Sequence, residues 1–239
     1  MGFNNLTDVV KNLLIINIVM YLGSGPLMGM FGGSWEDLVL NYFPKDYALQ
    51  NGIPYYFQPY QIVTHMFMHA NTMHLFFNMF ALFMFGPILE MTWGPKRFLT
   101  YYFFTAFGAL LLHTLVSYFV VSYSGVEVVE GISKFDMIRI QMPGVLGASG
   151  AVFGLLLGYG IYYPNNVIQL LIPPIPLKAK YFVMIYAALE LFLGVSGTNT
   201  GVAHFAHLGG ALFGLIMIWY WRRGKNSWQF SVGRKAPKR

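Results

Sequence analysis

Six stretches of this chain stay apolar for roughly the length of a membrane crossing, and polar, Gly- and Pro-rich residues collect between them. They cover about 12–31, 73–90, 98–121, 144–163, 181–197 and 202–221. A helical span needs about 20 mainly apolar residues, fewer or more with tilt and polar lining. The pattern predicts an all-α membrane protein of six transmembrane helices. The fifth stretch is the weakest, being short and containing Glu190. Gly23-Ser24-Gly25-Pro26 is expected to kink or end the first helix, since proline removes a ladder donor. That first stretch reads as a span rather than a cleaved signal, because no small-x-small cleavage site follows it. The connections are a long first loop (32–72), the basic turn Gly94-Pro95-Lys96-Arg97, a mixed loop (122–143), a proline-rich segment (164–180) and Ser196 to Gly201.

Composition agrees with this pattern. Of 239 residues, 56% are hydrophobic and 10% charged, against about 25% charged in soluble domains. Mean hydropathy is +0.53. With no cysteine, disulfides, thiolate metal sites and cysteine nucleophiles are excluded. The net charge of +6 does not point to nucleic acid, because seven of the 15 basic residues lie between Arg222 and Arg239, just past the last span. Such a tail fixes orientation and meets anionic lipid. With six spans and both termini on one side, that side collects Lys11, Lys96, Arg97, Lys178, Lys180 and the tail, 12 of the 15 basic residues. The positive-inside rule makes it the cytoplasm. The expected organisation is a membrane domain over 1–221 and a basic cytoplasmic tail over 222–239, suited to a bacterial inner membrane.

Polar groups are costly in hydrocarbon, so those that occur there invite a functional reading. Ser149 stands in Gly147-Ala148-Ser149-Gly150 and His207 in Ala206-His207-Leu208-Gly209-Gly210; His74 and Asn78 open the second span at i, i+4. Spans two, four and six run from outside to inside in this topology. At 1.5 Å per residue each group lies within about 10 Å of the outer helix ends. A serine hydroxyl becomes a nucleophile when a base takes its proton. Gly150, Gly154 and Gly158 on one span, and Gly210, Ala211 and Gly214 on another, form small-residue faces that let helices approach closely. His207 shares the second face, at i to their i+3, i+4 and i+7. A glycine zipper with an incidental serine accounts for the same spacings. His74, Asn78 and the Ser149 N–H are candidate oxyanion donors; plain helix–helix hydrogen bonds would explain the two side chains as well. The G-x-S-x-G elbow is absent, since residue 151 is Ala. No acidic residue is obviously placed to orient His207, which points to a dyad.

The remaining polar residues read more quietly. His65 and His69 have the i, i+4 spacing of zinc ligands but lack a completing carboxylate, so neither metal nor cofactor is expected. His113 and Glu190 are expected to bond neighbouring helices; a proton or ion path through Glu190 is the sharper alternative.

In His65-x-x-x-His69, His74-Leu75-x-x-Asn78, Gly147-Ala148-Ser149-Gly150 and Ala206-His207-x-Gly209-Gly210-x-x-x-Gly214 the chain resembles the rhomboid intramembrane serine proteases, over roughly residues 55–220. The resemblance implies Ser149 as nucleophile, His207 as general base and acid, and His74 and Asn78 as oxyanion donors. Phe153 is where the family tends to place an aromatic against the catalytic imidazole, and His65 and His69 support the loop near the site. The Ala-His-x-Gly-Gly spacing selects His207 over His204. Tyr60-Gln61 stands where the family often has Trp-Arg, beside an aromatic stretch, Tyr55 to Tyr60, suited to the head-group level. The expected activity is an endopeptidase acting on transmembrane segments of other proteins within the bilayer. The rivals are a non-proteolytic rhomboid-like binder of membrane proteins and a small transporter. The first is disfavoured because Ser149 and His207 are both present, the second because the polar groups cluster at one end.

Overall fold

The computed structural model describes residues 6–30, 59–123, 144–169, 174–196 and 203–223. The tail from 224, the stretch 55–58, most of the first loop, the loop 124–143, the 197–201 connection and Pro173 lie outside the described residues. Within them the chain is helical: α1 (Asp8–Met30), the single turn α2 (Gln61–Thr64) running into a 3₁₀ turn (His65–Phe67), α3 (Thr72–Trp93), α4 (Pro95–Tyr123), α5 (Ser149–Tyr162), α6 (Ala179–Val195) and α7 (His204–Arg223). A two-stranded antiparallel pair, β1 (Val167–Gln169) with β2 (Pro176–Lys178), lies within the 164–180 connection, Val167 pairing with Lys178. Residues 8–26, 72–93 and 95–120 are long and apolar enough to cross a membrane.

Helix α5 is the centre of the bundle. Ten of its fourteen residues are buried, and α3, α4, α6 and α7 all pack on it. A helix apolar all round must be sheathed in this way. At 1.5 Å per residue it is only about 21 Å long, short of a bilayer's hydrocarbon core. Its glycines set the contact with α7. A Cβ built on Gly210 would lie 1.9 Å from the Gly150 carbonyl oxygen, and one on Gly214 would lie 3.4 Å from Gly154 Cα. The neighbouring Gly209 faces α4 instead, where a Cβ would meet Ala109 Cα at 2.8 Å. The Gly209-Gly210 pair therefore admits two helices at once. Gly158, expected on the same face as Gly150, turns to Trp93 of α3.

Helix α1 continues through Pro26 to Met30, close to the expected limit at residue 31, so Gly23 to Pro26 does not end it. Hydrocarbon offers the freed backbone groups no other partner, which favours keeping the rest of the ladder. Helix α5 begins only at Ser149, not at 144, because Gly147 has φ 111°, a conformation that residues with a Cβ rarely adopt.

The opposite end of the bundle gathers the start of α1, the α3–α4 turn and the end of α7. The Glu90 carboxylate of α3 accepts from the backbone N–H groups of Val9 (3.2 Å) and Val10 (2.9 Å) and from the Thr7 hydroxyl, neutralising the positive end of α1. Trp93 meets Trp221 at 5.5 Å, and the Arg97 guanidinium lies 5.7 Å from the Trp221 ring. Many large apolar side chains on the helices face outward, Leu22, Phe119, Phe192 and Leu215 among them.

Gly210→Ala is expected to force α5 and α7 apart and lower stability by about 1–3 kcal/mol, the usual cost of overpacking. Thermal unfolding in detergent reads it; an unchanged melting temperature would mean the helices have room to spare.

Candidate active site

The first turns of α3, α5 and α7 converge at the end of the bundle away from Trp93 and Trp221. Asn71 caps α3, its side chain accepting from the His74 N–H at 2.9 Å. This fixes His74 and Asn78 on one face of the first two turns. Ala148 holds the N-cap position of α5 with no side-chain cap bond, so its leading N–H groups, that of Ser149 among them, gain no side-chain acceptor from the cap.

Three contacts draw these turns together. A Cβ on Gly147 would fall 2.8 Å from His74 Cε1 and 2.9 Å from His74 Nε2, which brings the imidazole against the backbone two residues before Ser149. Ala206 presents its carbonyl oxygen 3.8 Å from a Cβ built on Gly150, so the residues flanking Ser149 and His207 face each other. Phe153, one turn along α5 from Ser149, lies flat on the His207 ring at 4.1 Å with 6° between planes. Tyr186 of α6 also stacks on Phe153, at 5.1 Å. A small cavity beside Ser149 is lined in part by His65, Val145, Gly147, Ala203 and Ala206.

The hydrogen bonds assign protons. His74 Nδ1 accepts a long bond from the Ala70 N–H, 3.4 Å, which leaves the ring proton on Nε2, the atom facing Gly147. Asn78 Nδ2 donates to the His74 carbonyl at 2.8 Å, and an amide nitrogen keeps a second N–H. His65 supports the loop through its backbone: its carbonyl accepts from the Gly147 N–H at 2.7 Å, while its Nδ1 donates to the Gln61 carbonyl at 2.8 Å. Gln61 is fully buried and Tyr60 exposed, so this pair divides between interior and surface. His69 packs edge-on against His74 at 5.1 Å. Burial pushes the His65 imidazole down to about 4, against the backbone bonds that raise it, and burial with the nearby His74 brings His69 down to about 4 as well.

One feature of the site was not foreseen. His207 has an acidic neighbour: Glu190 Oε2 of α6 lies 3.0 Å from His207 Nδ1 and 2.6 Å from His204 Nδ1. The His204 contact is a hydrogen bond. The His207 contact lies off the N–H direction and is a close charge contact rather than a linear bond. The sequence signal was Glu190 itself, an acidic residue inside an apolar stretch. Its partners lie on another helix, so spacing along one helix did not reveal them. His113 also lies beside Ser117 of its own helix, at 3.4 Å.

This geometry, in a bundle with lipid-facing helices, defines an integral membrane protein with an imidazole, a serine and an uncapped helix start at one end. The rhomboid domain family matches residues 56–224, and the chain belongs to that family. Among its relatives are "Rhomboid-like protein 11, chloroplastic" of Arabidopsis thaliana, 34% identical over 67% of this chain and 51% of its own length, and "Rhomboid protease AarA" of Providencia stuartii, 31% identical over 65% and 53%. The chain thus spans about half the length of these two relatives. "Putative rhomboid protease YdcA" of Bacillus subtilis (strain 168) is 26% identical over 90% of this chain and 89% of its own length.

His65 and His69 stay neutral in the fold well below the ordinary imidazole value, whereas the unfolded chain protonates them near 6.5. Their stabilising contribution is therefore complete above about pH 6.5 and is lost as the pH falls towards 4. Thermal unfolding across that window is expected to show a falling melting temperature, with a shallower slope in His65→Asn. An equal slope in wild type and variant would contradict the assignment.

Proposed function

We propose that this protein is an intramembrane serine endopeptidase that cleaves transmembrane segments of other membrane proteins through Ser149 and His207. The observation that carries the reading is the stacking of His207 on Phe153, one turn from Ser149, across the Gly150–Gly210 contact. The family supports it, since relatives bear the name rhomboid protease.

In this mechanism Ser149 Oγ attacks the substrate carbonyl carbon while His207 Nε2 takes its proton. The resulting oxyanion is held by His74 Nε2–H, the second amide proton of Asn78 and the Ser149 N–H, aided by the positive end of α5. As the tetrahedral species collapses, His207 returns the proton to the leaving amine. Water then attacks the acyl-enzyme with His207 again as base, releasing the acid and restoring Ser149. The chemistry uses no cofactor and no metal. A regular helix hides its carbonyls, so the substrate segment must unwind locally to reach the site.

The topology we propose has six spans, α1, α3, α4, α5, α6 and α7, with both termini cytoplasmic and the site near the outer face of a bacterial inner membrane. The membrane domain occupies 1–221, with 222–239 as a basic tail. Because α5 is short, water can reach Ser149 from the outer side, as deacylation requires.

A fluorophosphonate probe is expected to label the purified protein in detergent. Ser149→Ala should abolish labelling and His207→Ala nearly so, while His74→Ala should slow turnover about a hundredfold or more, the scale of a lost oxyanion donor. Labelling that survives Ser149→Ala would sink the mechanism. A folded wild type that neither labels nor cleaves would favour the non-proteolytic binder.

A further inference from the structure

Helix α6 is built inside out. Its buried residues are Ala179 and Glu190, while Met184, Ile185, Leu189, Phe192 and Val195 face outward. A carboxylate is the group least suited to the interior of an apolar bundle unless partners compensate it. Glu190 is 5% exposed, and its partners are two imidazoles one turn apart on α7, each with Nδ1 within 3.0 Å of the same oxygen.

The two contacts play different parts. His204 holds Oε2 with the shorter, aligned bond at 2.6 Å, which fixes the carboxylate. His207 then meets a fixed negative charge at 3.0 Å. Helix α6 restrains His207 a second way: Tyr186, one turn before Glu190, packs on the Phe153 ring that stacks on the imidazole. The stack sets the plane of the ring. It does not set rotation within that plane, because a ring flipped about its Cβ–Cγ bond would stack as well. The carboxylate decides this, since the flip would set a carbon rather than Nδ1–H against it. With the proton on Nδ1, Nε2 keeps the lone pair that Ser149 requires. The groups facing this pair are His204 and His207 of α7, Tyr186 of α6 and, from α3, His74.

Resting on the serine-protease reading, we infer that Glu190 is a positioning residue of the reaction: it fixes the tautomer and orientation of His207 and stabilises the imidazolium formed when Ser149 gives up its proton. The working unit is then Ser149, His207 and Glu190, with His204 as the anchor of the carboxylate. The assignment also explains why α6 carries a carboxylate inward while turning apolar residues out.

The test is the inactivation kinetics of the purified protein with a fluorophosphonate probe, resolved into the maximal rate kinact and the half-saturating concentration KI. Aligned buried triads lose up to about 10⁴-fold when the acid is changed to its amide; for this shared, oblique contact Glu190→Gln is expected to lower kinact at least about tenfold. KI should stay within about twofold of wild type and the melting temperature nearly constant. Glu190→Met, of similar length without the carboxylate, should show the same split and serves if the amide variant does not fold. In a His207→Ala background, Glu190→Gln should cost nothing more, because the carboxylate acts through that ring. Wild-type kinact in both folded variants would overturn the inference, as would an equal loss with His207 already removed. Failure of the underlying reading looks different: the wild type itself would go unlabelled, or would label without Ser149.

Discussion

Everything at the candidate site depends on how closely two backbones pass where α5 meets α7. Nothing larger than hydrogen fits on Gly210, because the Gly150 carbonyl already occupies the space. In lipid the hydrophobic effect does not press helices together, so association rests on close van der Waals packing and interhelical hydrogen bonds. The buried Tyr101 hydroxyl of α4 adds one such bond, to the Gly154 carbonyl at 2.7 Å. Once α5 and α7 touch at this point, Phe153 lies on His207, and Ser149 follows one turn away. The same contact brings the start of α5 under His74.

The bundle separates its polar groups by end. At one end Glu90 meets the start of α1, and Trp93, Trp221 and Arg97 form an aromatic and cationic cluster. At the other lie Ser149, His74, Asn78 and His207, with Glu190 and His204 behind them. A buried carboxylate occurs near each end, and each is compensated in its own way: Glu90 by backbone N–H groups, Glu190 by imidazoles. The first pairing joins helices. The second touches a ring that the proposed chemistry must protonate and deprotonate, and this is why we assign it a part in the reaction.

Much of this was legible in the chain because it is local or periodic. The apolar stretches locate the helices, and the recurring glycines mark the helix faces that the structure brings together at Gly150–Gly210 and Gly154–Gly214. The spacing misled at Gly158, where a Cβ would meet Trp93 of α3 rather than α7. The start of α5 was misplaced because apolar character continues through Val145 and Leu146 while backbone geometry changes at Gly147. Of the kink or end expected at Gly23 to Pro26, the end does not occur, and α1 runs to Met30 near its expected limit. Glu190 was read as a partner of a neighbouring helix, and it is one. That its partners are His204 and His207 depends on how α6 rotates about its axis, which no one-dimensional pattern records.

The central claim is that Ser149, His207 and the donors of α3 form one reacting centre. The most direct measurement is an experimental structure of the protein after reaction with a fluorophosphonate. The account predicts phosphorus bonded to Ser149 Oγ, its oxygen within about 3 Å of His74 Nε2 as an oxyanion donor requires, and His207 still stacked on Phe153. An adduct on another residue, or one on Ser149 whose oxygen points away from His74, would contradict it.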